Sequence, residues 1–373
     1  VTLFEADAHF GGHAHTVDVT LDGITHGVDT GFLVFNEATY PGLLKLFREL
    51  DVPVAPAEMS FSVQVPRALG GRTLEWSGTS LSSVFAQRKN LVNRRFWQML
   101  LDLRRFNSLC NALVASGDDV KLRQPLGEFL KQERFSQAFT DWYFLPMVAS
   151  IWSCPARQML EFPVSTMIRF CHNHGLLQIS NRPQWWTVQG GAKHYVERIV
   201  AQVADKRLNS PVLSIERLAS AASQGVRVIT ASGAESFDKI IIATHPDQAL
   251  SMLAVPSPFE VRTLGAIRFH PNRAVLHTDE SVLPKRKSAW AAWNYQRFDG
   301  DISPANSPAP KAGADVCLHY LINRLQPLPW QQSVVVSLNP LGEIAADKIL
   351  GEYAYAHPVF DLGAVAGTVR DHG

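Results

Sequence analysis

The opening residues of the chain constrain its fold most strongly. Val1–Glu5 is a short, apolar, β-branched run that ends in a carboxylate, and the adjacent glycines Gly11 and Gly12 follow soon after it. Such a run predicts a buried parallel strand, and paired glycines allow a turn whose backbone can approach a ligand closely. A strand ending in an acidic residue is by itself also compatible with an ordinary surface carboxylate. Combined with a glycine turn, it is typical of a dinucleotide site, where the carboxylate accepts hydrogen bonds from a ribose.

Composition narrows the class of protein. The 373 residues are 46% hydrophobic and 18% charged, with a formal net charge of +1. These values indicate a globular chain of two or three domains and provide no basic field for binding nucleic acid. Four widely spaced cysteines without a CxxC pair predict reduced, mostly buried thiols in a cytoplasmic protein: Cys110, Cys154, Cys171 and Cys317. No apolar run reaches the length needed to span a bilayer, which leaves peripheral contact with the inner face of a membrane open.

Strand and helix patterns alternate in an order that predicts an α/β protein. A helix is expected at Tyr40–Leu50, a mainly helical region from Leu81 to about Cys171, and a helix at Lys193–Val203. The predicted strands are His13–Leu21, Ile24–Val28, Phe61–Val65, Arg72–Trp76, Val212–Arg217, Val226–Thr230, Lys239–Thr244, Ala274–His277, Ala289–Tyr295, Val316–Asn323 and Val334–Asn339. Nucleotide-type segments occur both in Val1–Val52 and in Gln189–Leu253, which indicates two discontinuous domains.

The spacing of the first motif carries a family resemblance. Glu5, Gly11, Gly12, His13 and Thr16 form the pattern E-x5-G-G-H-x2-T. It resembles the E-x5-G-G-R-x2-T/S pattern of the flavin-containing amine oxidase superfamily, which includes monoamine oxidases, protoporphyrinogen oxidases and phytoene desaturases. The resemblance implies FAD as cofactor, with the glutamate on the ribose and the glycines near the pyrophosphate. The further candidate cofactor-binding residues are His13, Thr16, Gly31 and Val212. Because a histidine replaces the usual arginine, the role of that arginine is not carried over to it.

Later segments extend the resemblance along the chain. Gly190–Gly191 matches a second glycine turn, Val212 the position whose backbone meets the adenine, and Asp238–Pro246 the strand that ends the FAD domain. The stretch Asp29–Phe32, which contains Gly31, is a further glycine-flanked turn. Together with Ala289–Tyr295, Asn323–Gln326 and His357–Asp361, it resembles a bacterial branch of predicted NAD/FAD-binding, amine oxidase-like proteins associated with cyclopropane fatty-acid synthase-type enzymes. That branch implies a fatty acyl substrate.

The resemblance implies a Rossmann-like FAD-binding domain interleaved with a substrate domain of mixed β-sheet and helical insertion. We expect the FAD domain at residues 1–60 and 187–255, and the substrate domain at 61–186 and 256–345, with the insertion at about 81–171. Residues 346–373 would begin the return to the FAD domain. We also expect the chain to be a fragment at both ends, lacking the G-x-G-x-x-G loop upstream and the last FAD-contacting segment.

The implied reaction is transfer of a hydride from a substrate carbon to flavin N5, with the protein supplying an apolar cavity. A desaturase acting on a fatty acyl or other lipid substrate is the first hypothesis, an amine oxidase the second, and a non-catalytic fragment the third. Catalytic residues are not identified; Trp293, Tyr295 and Lys193 are the candidates to face the flavin. Core packing of the two aromatics, or solvation of the lysine, is the alternative. Because a covalent link would need a Cys or His near the missing C-terminal segment, the FAD is expected to be non-covalent.

Other residue clusters allow competing interpretations. His13 and His15 are expected on one strand face near His26, which could suggest zinc, but no completing ligand is placed and we predict no metal. Cys171 with neighbouring histidines could suggest a nucleophile, although the histidines are more typical of a helix end. The basic runs at 94–95 and 285–287 are expected to be solvated or to contact lipid headgroups. The substrate is expected to be small and apolar or a lipid, and the oligomeric state is not predicted.

Overall fold

The computed structural model describes residues 1–116, 122–152, 159–178, 182–220, 223–297 and 316–359. These residues form two compact units that are interleaved along the chain. The first unit comprises Val1–His15, Lys193–Phe269 and Pro358–Gly373, and the second comprises Thr16–Ala192 and His270–His357. The mixed α/β fold class predicted from the sequence is confirmed. The predicted boundaries of the ligand-binding domains stay a prediction, because units defined by backbone proximity do not show what each part binds.

The first unit contains a parallel pair of strands and an antiparallel sheet. Strand β1 (Thr2–Phe4) pairs in parallel with β9 (Asp205–Arg207). Strands β10 (Val212–Ser220), β11 (Ser223–Thr230) and β12 (Gly233–Phe237) form the antiparallel sheet. Three helices complete this unit: Lys193–Ala201, Pro246–Met252 and Pro258–Gly265.

The second unit is built around a seven-stranded mixed sheet in the order β17-β13-β16-β15-β14-β6-β7. Its strands are β6 (Phe61–Leu69), β7 (Arg72–Ser77), β13 (Arg268–His277), β14 (Trp293–Gln296), β15 (Cys317–Leu321), β16 (Val335–Leu338) and β17 (Ile349–Val359). A hairpin of β2 (Thr16–Leu21) and β3 (Ile24–Asp29), and a small sheet of β4 (Phe35–Asn36), β8 (Trp185–Val188) and β5 (Val54–Ala57), accompany it.

The helices of the second unit follow the apolar spacing of the sequence. The longest, Arg94–Ser116, buries residues three and four apart, including Phe96, Met99, Phe106 and Cys110, so one face of the helix packs into the core. The other helical segments are Pro41–Glu49, Leu81–Val84, Arg88–Val92, Leu126–Gln132, Gln137–Phe139, Thr140–Phe144, Leu145–Trp152, Val164–Asn173, Glu280–Val282, Lys287–Ala289, Ile322–Leu325 and Ala346–Lys348. Within the described ranges, no helix has both the length and the apolar character needed to cross a bilayer.

The two faces of the large sheet differ in chemistry. On one face, Phe61, Trp293 and Tyr320 lie opposite one another on three neighbouring strands, and the row continues to Val336. On the other face, residues at the adjacent register position are polar and buried: Ser62, Asn294, His319 and Ser337. Because side chains alternate between the faces of a strand, a single register produces both an apolar row and a polar row.

Two members of this row, His319 and Ser337, join His277 and Gln296 in a continuous hydrogen-bonded chain. The backbone N–H of Asp279 donates to Nδ1 of His277 at 3.0 Å, so Nε2 of that ring carries the proton and donates to the Ser337 hydroxyl at 2.7 Å. The hydroxyl in turn donates to Nδ1 of His319 at 2.7 Å, whose Nε2 donates to Oε1 of Gln296 at 3.1 Å. Burial lowers the pKa of His277 to about 4 and that of His319 to about 3, so both rings are neutral at pH 7.

Several sequence predictions need correction. Lys239–Thr244 is apolar but forms no strand; Ile241 is 93% exposed, and within the described residues no neighbouring strand supplies its hydrogen bonds. Strand β12 occurs instead, just before it. Strand β14 begins only at Trp293, because a 3₁₀ turn occupies Lys287–Ala289. Strand β17 was not predicted. Cys154 lies outside the described residues.

Candidate functional site

Glu5 lies directly after β1, where the parallel pairing with β9 continues into its backbone. Its N–H donates to the carbonyl of Arg207 at 2.9 Å, and its carbonyl accepts from the N–H of Ser210 at 2.8 Å. Ser210 is two residues before Val212, so the structure brings the predicted ribose ligand next to the strand predicted to meet the adenine. Among the described residues, the Glu5 carboxylate accepts only a local hydrogen bond, from the N–H of Asp7 at 3.0 Å. This half-buried carboxylate at the end of a parallel strand fits a ribose.

The turn at Gly11 and Gly12 has positive φ at both residues, +116° and +55°. A Cβ on Gly11 would lie 2.7 Å from the carbonyl oxygen of Ala14 and 3.1 Å from Cγ2 of Val196, so this glycine lets the turn pack against the helix Lys193–Ala201. A Cβ on Gly12 would meet nothing within 4 Å. The second glycine therefore presents bare backbone to open space, which fits the close approach of a phosphate group.

His13, in the position of the superfamily arginine, has an aromatic neighbour that sequence reasoning missed. Its ring lies 5.7 Å from that of His245, which stacks on Phe269 at 4.1 Å. Burial, and secondarily the charge of His245, lower the pKa of His13. The residue is therefore neutral at pH 7, unlike an arginine. His245 stood within the Asp238–Pro246 motif, but nothing in its spacing indicated a stacked pair.

The expectation that His13 and His15 share a strand face is wrong. Strand β2 begins only at Thr16, so the two histidines lie in the preceding turn and take different partners. The ring of His15 lies 4.2 Å from that of His9, and burial lowers its pKa. His26, in the second unit, contacts Trp330 instead. Across the described residues, no group of three or more His, Cys, Asp or Glu side chains could hold a metal ion.

In the second unit, Asp29 is the centre of a buried cluster of hydrogen bonds. Its Oδ1 accepts from the hydroxyl of Thr16 and from the N–H of Ala192, the latter at 2.9 Å. Its Oδ2 accepts from Nε2 of Gln326 at 2.8 Å, and its own N–H donates to Oε1 of the same amide at 3.0 Å. The structure thus joins two motifs that the sequence analysis could only describe separately, Asp29–Phe32 and Asn323–Gln326.

The second glycine turn closes this cluster by direct packing. A Cβ on Gly27 would lie 2.3 Å from the carbonyl oxygen of Gly190, and a Cβ on Gly191 would lie 2.3 Å from Cγ2 of Thr16. These glycines let β3 and the turn meet backbone to backbone. Thr16, predicted to bind cofactor, therefore has a structural role in holding Asp29. Gly31 follows this cluster and is half-buried, and the neighbouring Thr30 hydroxyl lies 2.7 Å from that of Tyr355.

The predicted flavin-facing residues occupy different environments. Tyr295 is buried in the core, whereas Trp293 is half-buried and its ring meets that of Tyr320 edge-on at 5.1 Å. Lys193 is half-buried at the start of its helix. The indole N–H groups of Trp186, Trp293 and Trp330 are buried without an acceptor in the described part of the chain. Each such donor costs about 1–3 kcal/mol when it is unsatisfied.

The cysteine nucleophile interpretation does not fit the structure. Cys171 is fully buried, and this burial raises the pKa of its thiol to about 12, so the thiol stays protonated and unreactive. His174 follows the end of the helix Val164–Asn173, where its Nδ1 lies 2.9 Å from the carbonyl of Phe170. The histidines close a helix, as the sequence suggested. Cys110, Cys171 and Cys317 are buried free thiols.

The turn at Gly11 and Gly12, the carboxylate after a parallel strand and the mixed α/β fold are features of a dinucleotide-binding protein. The sequence matches the family of flavin containing amine oxidoreductases over residues 1–326. The chain belongs to this family and is an FAD-dependent oxidoreductase. The residues that would hold FAD in the first unit are Glu5, Gly11, Gly12, His13 and Val212; their individual roles stay predictions.

Solved structures share the fold at low sequence identity. Putrescine oxidase bound to putrescine is 12% identical, with a TM-score of 0.61 over 98% of this chain and 83% of that one. A putative protoporphyrinogen oxidase from Exiguobacterium sp. 255-15 is 15% identical, with a TM-score of 0.61 and coverage of 98% and 83%. A CLA-producing fatty acid isomerase from P. acnes is 14% identical, with a TM-score of 0.58 and coverage of 96% and 80%. No curated protein sequence matches the chain.

Proposed function

We propose that the protein is a desaturase of a fatty acyl or other lipid substrate. In this reaction two hydrogens leave adjacent substrate carbons, one as a hydride and the other as a proton, and a C=C bond remains. Bound FAD supplies the hydride acceptor, N5 of the flavin. The chain itself has to hold a long apolar substrate and exclude water from the reacting carbons.

The observation that carries this proposal is the apolar face of the large sheet. Phe61, Trp293 and Tyr320 lie side by side on three strands, all half-buried, and Val336 extends the row. The next positions on the same face are Val63, Tyr295, Leu318 and Leu338, all buried. Strands β14 and β15 contain no acidic residue. An acyl chain has no charge to desolvate when it packs against this face. An ammonium group would lose its hydration there without a compensating charge.

Two relatives in fold act on different substrate classes according to their descriptions: one is a fatty acid isomerase and another is a putrescine oxidase. The fold therefore accommodates both lipid and amine chemistry. The aromatic row without a carboxylate favours the lipid. Amine oxidation is the alternative that the experiment must separate from it.

The test is reduction of the bound flavin in the full-length protein without oxygen. We expect an acyl phospholipid in detergent to bleach the visible flavin band and putrescine to leave it unchanged. In a Tyr320→Glu variant, a carboxylate enters the aromatic row, so bleaching by the lipid should fall at least tenfold. Phe259→Glu, which places a carboxylate at an exposed aromatic position of the first unit, is the matched control. Bleaching by amines but not by lipids would overturn the proposal.

A further inference from the structure

A surface of the second unit combines exposed apolar side chains with basic side chains and contains no acidic one. Val92 is 86% exposed and Leu101 is 62% exposed. Covering these apolar side chains would remove their surface from water, which is favourable. We call the apolar–basic surface the set of exposed residues Arg88, Lys89, Leu91, Val92, Arg94, Arg95, Trp97 and Leu101. They lie on the 3₁₀ turn Arg88–Val92 and the first turns of the helix Arg94–Ser116.

The members of this surface are held in place by the protein. The indole N–H of Trp97 donates to the carbonyl of Leu91 at 2.8 Å, and its ring packs on Phe85 at 5.4 Å. On the helix, Arg94, Trp97 and Leu101 are three and four residues apart and therefore share one face. The tryptophan therefore lies between Arg94 and Leu101 on this face, with its ring 44% exposed.

The charge of the surface is uncompensated. From Trp76 to Leu101 the sequence contains four basic residues and no acidic one. Among the described residues, Arg88, Lys89 and Arg94 form no ion pair, and Arg95 lies over the ring of Trp142 at 5.0 Å. The nearby basic run at 285–287 is different, because Arg286 is paired with Glu75 and Lys287 with Glu280. The free positive charge is thus concentrated around the exposed apolar side chains.

A cleft opens beside this surface and has the chemistry of an anion site. It has a volume of about 310 Å³, and Arg72, Lys89 and Arg95 line it together with Asn90 and Asn93. Asn90 is only 1% exposed, yet its Oδ1 has no hydrogen-bond partner. Three cations fit a phosphate, and the free carbonyl fits a hydroxyl or ammonium donor next to it.

We propose that the apolar–basic surface docks the protein on an anionic phospholipid bilayer, with the cleft taking a headgroup. Apolar side chains and tryptophan enter the interface while the cations reach the phosphates. A second copy of the chain is a poor occupant, because a two-fold contact would place these cations against themselves. The idea that docking brings an acyl substrate to the enzyme rests on the proposed function. Binding of the protein to vesicles does not.

The experiment is sedimentation of the full-length protein with vesicles of phosphatidylcholine alone or with one third phosphatidylglycerol. We expect binding to the anionic vesicles only, weakening as salt rises. Removal of two charges, Arg88→Gln with Arg94→Gln, should lower the affinity by about five-fold for each charge. Removal of the apolar contacts, Val92→Asn with Leu101→Gln, should lower it further. The matched control is Val255→Asn with Arg262→Gln, an exposed apolar and basic pair in the first unit.

Thermal unfolding of each variant shows whether the variant is still folded, so that weaker vesicle binding is not mistaken for unfolding. Equal binding to neutral and anionic vesicles, or equal losses in the control, would overturn the proposal. The proposal would also be overturned if the wild-type protein were a dimer that the same substitutions dissociate. Binding of an acidic protein in the absence of vesicle binding would overturn it as well. Because vesicle binding is measured without substrate turnover and flavin bleaching is measured in detergent, failure of the docking and failure of the desaturase function give separate results.

Discussion

The two glycine turns of this protein have similar backbones and opposite surroundings. Gly11 and Gly12 have φ angles of +116° and +55°, and Gly190 and Gly191 have +78° and +107°. At the first turn, the space beside Gly12 is open; at the second, Gly191 is pressed against Thr16. We predict that the open position at Gly12 serves a ligand, whereas Gly191 lets protein pack on protein. A glycine pair in a sequence indicates close approach, but the approaching group is decided by the fold.

The polar groups near the two turns differ in the same way. In the first unit, Glu5 is half-buried with a carboxylate that makes only a local hydrogen bond, and His13 is half-buried beside His245. In the second, Asp29 is buried and surrounded by donors from Thr16, Ala192 and Gln326. The first arrangement has half-buried polar groups beside an exposed turn, and the second uses buried polar groups to hold segments together. Substitutions in the two units should therefore change different measured quantities.

The largest effect is expected from Gly27→Ala in the second unit. Its φ is not positive, so alanine is allowed by the backbone, and the cost comes from the clashes of its Cβ with the carbonyl oxygen of Gly190 at 2.3 Å and with Cγ2 of Thr16 at 2.8 Å. Because the carbonyl of Gly190 belongs to the backbone and cannot rotate away as a side chain can, we expect a loss of at least about 3 kcal/mol in the free energy of unfolding. Urea unfolding checks this. Gly42→Ala, where a Cβ meets nothing within 4 Å, is the control and should cost less than about 0.5 kcal/mol.

The next effect concerns His277 and His319, the two buried histidines of the hydrogen-bonded chain. Because the folded pKa values of His277 and His319, about 4 and about 3, lie below the unfolded value near 6.5, the unfolded state binds protons first as pH falls. Stability is complete above pH 6.5 and decreases below it, by up to about 2.7 kcal/mol per pH unit for two such groups. We expect a loss of about 3 kcal/mol between pH 7 and pH 5.

Urea unfolding at several pH values measures this slope. Replacement of one ring, His319→Gln, should roughly halve the slope even though it also lowers stability at pH 7. An unchanged slope in this variant would show that other groups cause the acid sensitivity. His13, which is only half-buried, should contribute little to the slope, so His13→Gln is the comparison from the first unit.

A smaller effect is expected where Asp29 meets Gln326. In Asp29→Asn, an amide N–H would face the donor Nε2 of the glutamine, and we expect a cost of about 2 kcal/mol. Gln326→Glu alone would place two carboxylates together and should cost more. The double variant restores a donor opposite an acceptor and should recover about 1 kcal/mol relative to additivity. Strict additivity of the two single losses would mean that the pair does not interact as described.

The smallest change in stability is expected from Gly12→Ala in the first unit. Alanine tolerates a φ of +55° at a cost of about 1 kcal/mol, and no atom obstructs its methyl group. The methyl would occupy the space predicted for the FAD phosphates, so FAD affinity should fall about tenfold. Gly23→Ala is the matched control: its φ is +76° and its space is also open, but it lies in a hairpin turn. Fluorescence titration with FAD should show a loss in the first variant only.

Much of the fold could be predicted from local patterns. Alternation and turn chemistry predicted the hairpin β2–β3, apolar spacing predicted the helix Pro41–Glu49, and most strands of the large sheet were located. Lys239–Thr244 failed because a strand needs a partner as well as a pattern. The His13–His15 prediction failed because the start of β2 was placed too early, and a shift of that kind changes which side chains share a face.

By itself, the sequence determined the class of cofactor and the family. The spacing of Glu5, the glycine pair and Thr16 resembles the pattern of a known flavoprotein family, and a resemblance of this kind can be read from local sequence alone. Only the tertiary structure decided that Gly12 faces open space while Gly191 faces Thr16, and that Gln326 reaches Asp29. These contacts join residues far apart in the chain, so they depend on strand register and on packing of whole elements, which no local pattern specifies.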